Sequence, residues 1–126
     1  MSEPAVVLLV DDEPRMLSAL TRTLRREGYA IETAADASRA LDRLAEAPSV
    51  ALVVSDHKMP GKTGVELLTE VAGRWPGTAR ILLSGWVDEI PRAALTKARL
   101  AAVLSKPWDD AELKRAIRDA LEVGRD

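Results

Sequence analysis

Short aliphatic runs and helically spaced apolar residues alternate along this chain. Ala5 to Val10 ("AVVLLV"), Val50 to Ser55 ("VALVVS") and Ala79 to Leu83 ("ARILL") are the continuous kind, the pattern of strands buried on both faces. Ala30 to Ala34 ("AIETA") alternates and reads as an edge strand, and Ala102 to Leu104 is a weaker fifth. Between them the spacing turns helical. Leu17, Leu20 and Leu24 mark a first helix, entered at Pro14 and stopped by Gly28. Leu41 and Leu44 mark a second, capped by Asp36 or Ser38 and ended before Pro48. Val65, Leu68 and Val71 mark a third, introduced by Thr63 with Glu66 three residues on, a capping-box pattern. Ile90 to Ala98 predicts a fourth, with Pro91 in its first turn. Leu113, Ile117 and Leu121 predict a fifth, capped by Asp109 or Asp110 with Glu112 favouring the dipole.

Strand and helix follow one another five times, which predicts an α/β fold: a mostly parallel sheet covered on both faces by helices through right-handed crossovers. In such sheets the chemistry gathers beyond the carboxyl ends of the strands. Here those ends carry Asp11-Asp12-Glu13 after strand one and Asp56 after strand three. Ser84-Gly85 follows strand four and Ser105-Lys106-Pro107 follows strand five. One such aspartate alone is an ordinary cap or turn residue. Three carboxylates, a hydroxyl and a lysine at four strand ends are a constellation.

Two like charges about 4 Å apart repel by roughly 4 kcal/mol at a surface-like dielectric, so Asp11, Asp12 and Asp56 need a cation. Carboxylates without His or Cys suit a hard ion, and Mg2+, which takes one or two carboxylates plus phosphate oxygens, fits best. Lys106 adds a second positive point and Ser84 a hydroxyl for a phosphoryl oxygen. The set is suited to stabilising charge on a transferring phosphoryl group, with Asp56 as the nucleophile forming an acyl phosphate.

Composition narrows the setting. The 126 residues fit one domain, expected over 1–126, and 47% hydrophobic with 30% charged residues describes a globular chain. A net charge of −2 gives no argument for nucleic acid or an anionic membrane as partner. No apolar run is long enough to span a membrane, Met1-Ser2-Glu3-Pro4 lacks a signal pattern, and cysteine is absent, which together predict a cytoplasmic protein.

The segments "LLVDDEP", "SDHKMPGKTG", "LLSG" and "LSKPW", in that order and spacing, resemble the CheY-like receiver domains of two-component response regulators over essentially the whole chain. The resemblance implies a flavodoxin-like (βα)5 sheet in strand order 2-1-3-4-5. It implies Asp56 as phosphoacceptor, Asp12 as direct metal ligand, Asp11 acting mainly through water, and the main-chain carbonyl of Lys58 completing the coordination of Mg2+. Ser84 stands at the switch position, Lys106 at the phosphate-pairing lysine, the bond to Pro107 is cis, and Gly85 keeps room beside the acceptor. Implied partners are a histidine kinase or phosphotransfer protein, a downstream output domain or protein on the face of the fourth helix, fifth strand and fifth helix, and a second copy in a homodimer. The implied role is that of a regulator, not an enzyme, beyond its own phosphorylation and slow dephosphorylation. "LLSGW" and "SKPWDDAELKRAI" look most like receivers joined to phosphodiesterase or kinase-associated outputs, and Val123-Gly124-Arg125-Asp126 stands where a linker would begin.

Two positions depart from the pattern. Val103 stands three residues before Lys106, where receivers commonly carry Tyr or Phe. Either the switch is subtler here, or Trp86 and Trp108 carry it, or Val103 is simply a core strand residue. Lys58 and Trp86 occupy positions that tune phosphoryl loss in this family; Trp86 either limits the approach of water or covers an apolar loop edge.

Other features take blander readings. "GKT" at Gly61-Lys62-Thr63 lacks the first glycine of a phosphate-binding loop, since that place falls on Asp56. His57, the only histidine, reads as an exposed loop residue. Arg22, Arg25 and Arg26 read as a solvated face or a docking surface for the phosphodonor, and Lys114, Arg115 and Arg118 as a small basic side. Two rival readings are a phosphorylation-independent interaction module and a Mg2+-dependent aspartyl phosphohydrolase of the haloacid dehalogenase type. The second expects a D-x-D pattern after strand one, which Asp11-Asp12-Glu13 lacks.

Overall fold

The aliphatic runs pair as the interior of one sheet. In the computed structural model, which describes residues 4–46 and 48–123, the elements are β1 (Val6–Val10), α1 (Pro14–Arg25), β2 (Ala30–Ala34), α2 (Ala37–Leu44), β3 (Leu52–Asp56) and α3 (Gly64–Arg74). Then come β4 (Ala79–Ser84), a 3-10 turn (Val87–Glu89), α4 (Arg92–Ala98), β5 (Ala102–Ser105) and α5 (Asp110–Val123). All neighbouring strands are parallel, in the order β2-β1-β3-β4-β5. The flavodoxin-like expectation holds, and "AIETA" is an edge strand. From Gly124 on, the expected linker lies outside the described residues, as do residues 1–3.

The period of two along each strand sorts the core into halves. Leu8, Val10, Val53 and Leu82 pack with α2, α3 and α4, whereas Val7, Leu9, Leu52, Val54, Ile81 and Leu83 pack with α1 and α5. Helices therefore cover both faces.

Helix starts follow their local chemistry. Thr63 and Glu66 form the reciprocal capping box, Asp36 accepts the Arg39 N–H, and Asp109 accepts the Glu112 N–H. The expected fourth helix is shorter at its start. Pro91 precedes it with extended ψ, its carbonyl accepting from Ala94 and Leu95. Strand limits shift too. Val50 is buried ahead of β3 with its carbonyl taken by the Thr78 hydroxyl, while Asp56 itself belongs to the strand.

Candidate functional site

At the carboxyl edge of the sheet, the last pairings of β3, β4 and β5 set Asp56 beside Leu83 and Ser84 beside Ser105. The Lys106 N–H then donates to the Ser84 carbonyl at 2.9 Å, which carries the lysine side chain back over β3. Its Nζ lies 2.8 Å from Asp56 Oδ1. On the other side of β3, Asp11 leaves β1 with its N–H on the Ala34 carbonyl and its Oδ1 accepting the Glu13 N–H at 2.8 Å. Oxygens of Asp11, Asp12 and Asp56 lie within 4.8 Å of one another. The strand ends thus bring together Asp11, Asp12, Asp56 and Lys106, as the sequence predicted.

Burial makes this cluster electrostatically tense. Asp11 is 3% exposed and Asp56 8%, while Asp12 is open to solvent. The Asp11 carboxyl is pushed up to about 6, chiefly by burial. The Glu13 N–H opposes that rise, Asp56 adds to it, Lys106 opposes it, and Asp12 adds to it. One lysine does not balance three carboxylates. An all-oxygen donor set lacking positive charge fits a hard divalent cation.

Ser84 is buried and points its hydroxyl within its own loop, where Oγ accepts the Trp86 N–H at 3.0 Å. Trp86 stands 55% exposed with Lys58 Nζ 4.8 Å from its ring centroid, and Lys58 Nζ also lies 4.0 Å from Glu89. The loops after β3 and β4 are thereby tied together. Val103 is half-buried and packs, with Ala94 and Leu95, against the α2–α3–α4 half of the core. Trp108 packs against the opposite half. The Lys106-Pro107 bond is cis.

Three features differ from the sequence expectation or were absent from it. His57 is partly buried, not an exposed loop residue. Its Nδ1 accepts the Val65 N–H at 3.4 Å, and burial holds its imidazole below the usual range. A close approach to the acceptor strand is needed at Gly64, which the sequence reading did not single out. A Cβ at Gly64 would collide with the Asp56 carbonyl and come 2.8 Å from His57 Cα, whereas one at Gly85 would only touch the Lys106 stem at 3.9 Å. The glycine closing "SDHKMPGKTG" is the sequence signal for that approach. Lys114 and Arg118 are committed to Glu27 at 3.9 and 3.7 Å, bracing α5 against the end of α1.

Comparisons with known proteins agree with this arrangement. The family described as "Response regulator receiver domain" matches residues 7–118. The hydrogenase transcriptional regulatory protein HoxA of Cupriavidus necator is 41% identical over 120 residues, covering 94% of this chain and 24% of HoxA. The transcriptional regulatory protein GlrR of Escherichia coli is 37% identical, covering 95% of this chain and 27% of GlrR. The chain therefore spans about a quarter of the length of these relatives. Among solved structures, the receiver domain of an HD domain-containing protein from Pseudomonas fluorescens superposes with a TM-score of 0.87 at 36% identity, covering 97% of this chain and 98% of that one. The response regulator TrrA of Thermotoga maritima, solved in complex with Mg2+-BeF, gives 0.83 at 30% identity, covering 93% and 99%. With the family profile over most of its length, the strand order and the clustered strand-end aspartates in agreement, the chain belongs to the receiver domain family of two-component response regulators.

Proposed function

We propose that Asp56 accepts a phosphoryl group from the phosphohistidine of a histidine kinase or phosphotransfer protein. The observation that carries this is the pairing of Asp56 with Lys106 at 2.8 Å inside a ring of carboxylates. A carboxylate oxygen of Asp56 attacks phosphorus and the new P–O bond replaces the P–N bond. The electron pair returns to the departing imidazole, which takes up a proton. Lys106 then neutralises charge on the phosphoryl oxygens, and Ser84, whose Oγ accepts the Trp86 N–H, donates its hydroxyl proton to one of them.

Asp12 and Asp56 would hold Mg2+ directly, with Asp11 through water and the Lys58 carbonyl completing the set. The ion supplies positive charge to the transferring phosphoryl group. The donor chemistry supports this, as does the Mg2+-BeF complex of the TrrA relative. The domain is taken to span 1–126 and to act as a regulator whose only chemistry is its own phosphorylation and slow dephosphorylation.

Phosphorylation shifts the face of α4, β5 and α5 toward a form read by an output domain, a partner or a second copy. A swing from 1:99 to 99:1 needs about 5.5 kcal/mol of differential stabilisation, to which Ser84 and Lys106 contribute. Half-buried Val103 is too small for the swing of an aromatic, so the shift here is centred on the loop after β4. HoxA and the Pseudomonas protein name different outputs, so the proposal stops at the receiver step. No described helix is long and apolar enough to cross a membrane.

Intact mass after incubation with acetyl phosphate, with and without Mg2+, tests the reading. One Mg2+-dependent phosphoryl adduct is expected in the wild type and none in Asp56→Asn. An adduct that persists in the variant, or none in the wild type with either acetyl phosphate or a phosphorylated kinase, overturns it.

A further inference from the structure

The strand β4 carries a charge where its pattern calls for an aliphatic. Arg80 points to the same side as Leu82, toward α4, and is 9% exposed. Among the described residues no carboxylate pairs with it. Its guanidinium is spent on carbonyls instead. Nε donates to Ala98 and Nη2 to Arg99, both at 2.9 Å, and Nη1 donates to Thr78. Ala98 ends α4, and Arg99 follows it in the left-handed conformation with φ 48°. The main chain closes the same junction, the Ala101 N–H donating to the Arg80 carbonyl at 2.8 Å.

The two ends of α4 are held very differently. At its carboxyl end a planar cation takes the Ala98 and Arg99 carbonyls and faces the negative end of the helix dipole. Ala98, the one buried residue of the helix, lies at the same end. At the amino end Pro91 offers no side-chain cap, Arg92 and Ala93 are exposed, and the loop before it runs from exposed Trp86 to Ile90, which is held by apolar packing and by no side-chain hydrogen bond among the described residues.

We propose that Arg80 is the pivot of α4: it clamps the carbonyl end of the helix and the turn into β5 to the base of β4, so that phosphorylation swings the amino end alone. The swing rests on the reading of Asp56 as phosphoacceptor. The clamp rests only on the geometry of Arg80. Arg80 takes no part in the phosphoryl chemistry; it acts through the helix, turning a local rearrangement after Ser84 into a rotation about a fixed end.

Amide hydrogen exchange read by mass spectrometry tests both statements, on the wild type, Arg80→Met and Arg80→Lys, with and without Mg2+ and beryllofluoride. In the wild type, beryllofluoride should change exchange across 85–95 and leave 99–101 unchanged. In free Arg80→Met, exchange at 99–101 should rise on the order of tenfold or more, and beryllofluoride should now alter it; Arg80→Lys, which keeps the charge without the fork, should fall between. Equal beryllofluoride responses at both ends of wild-type α4 overturn the swing. Unchanged exchange at 99–101 in both free variants overturns the clamp. Should Arg80→Met fail to fold, Arg80→Lys and the wild type decide. If beryllofluoride leaves even the amides beside wild-type Asp56 unaltered, the acceptor reading fails and the swing with it, while the free variants still decide the clamp.

Discussion

The hydroxyl of Ser84 accepts the main-chain N–H of Trp86 at 3.0 Å, so the switch residue is occupied within its own loop. That bond uses an oxygen lone pair and leaves the O–H proton to donate to a phosphoryl oxygen. Ser84→Ala should therefore still form the Asp56 adduct with acetyl phosphate, because the nucleophile and Lys106 remain. Its ratio of switched to unswitched forms should fall roughly ten- to hundredfold, since a hydrogen bond to a charged group is worth about 1.5–3 kcal/mol. Beryllofluoride-induced exchange over 85–95 checks this, and a response equal to wild type would sink it.

Trp86 is the one large apolar side chain left exposed among the described residues, and Lys58 anchors it across the gap between two loops. If that ring hinders water at the phosphoryl group, Trp86→Ala and Lys58→Met should each shorten the adduct lifetime. An exposed cation–π contact of about 0.5–1 kcal/mol corresponds to roughly two- to fivefold. Timed mass spectra after donor removal give the lifetimes. An unchanged or longer lifetime in Trp86→Ala would leave the ring as a loop cover.

Gly64 lets the start of α3 press against the acceptor strand, and its N–H donates to the His57 carbonyl at 2.8 Å. Gly64→Ala should cost about 1–3 kcal/mol of stability, the range for overpacking. It should also lower the adduct yield, while Gly85→Ala is milder in stability. Urea denaturation of the two variants measures the difference, and equal costs would refute the assignment.

Glu32 on edge strand β2 is held below the ordinary carboxylate range by the Arg43 guanidinium, whose Nη2 donates to it at 3.0 Å. A depressed carboxyl stabilises the fold above its unfolded value, and that contribution disappears as pH falls through the lowered value. The stability gap between wild type and Glu32→Gln should be full near pH 7 and shrink below about pH 4.3. The Glu32 side chain is 38% exposed, so the gap is at most about 1 kcal/mol. Denaturation midpoints across pH give the profile, and a gap that widens toward acid would refute it.

What the sequence revealed followed from local rules. Thr63 with Glu66, Pro14 and Gly28 announce their turns by their own chemistry, and parallel strands buried on both faces leave continuous aliphatic runs that end where the site begins. What stayed hidden depends on partners distant in the chain. Arg80 passes unremarked within "ARILL", because the Ala98 and Arg99 carbonyls that accept from it lie far along the chain. Glu27 looks solvated until α5 lays Lys114 and Arg118 beside it, and His57 looks free until α3 offers the Val65 N–H.

The pairing of Asp56 with Leu83 and of Ser84 with Ser105 has a consequence for how such a chain tolerates length change. Strand tips supply the reactive groups, so a residue inserted or deleted within β3, β4 or β5 would turn every later side chain to the opposite face and pull the tips out of line. The connections at the opposite edge of the sheet carry no such constraint, except the turns from α3 into β4 and from α4 into β5, whose carbonyls Arg80 holds. Insertions should be accepted best in the remaining connections there, and length should be least negotiable from Asp56 to Gly64.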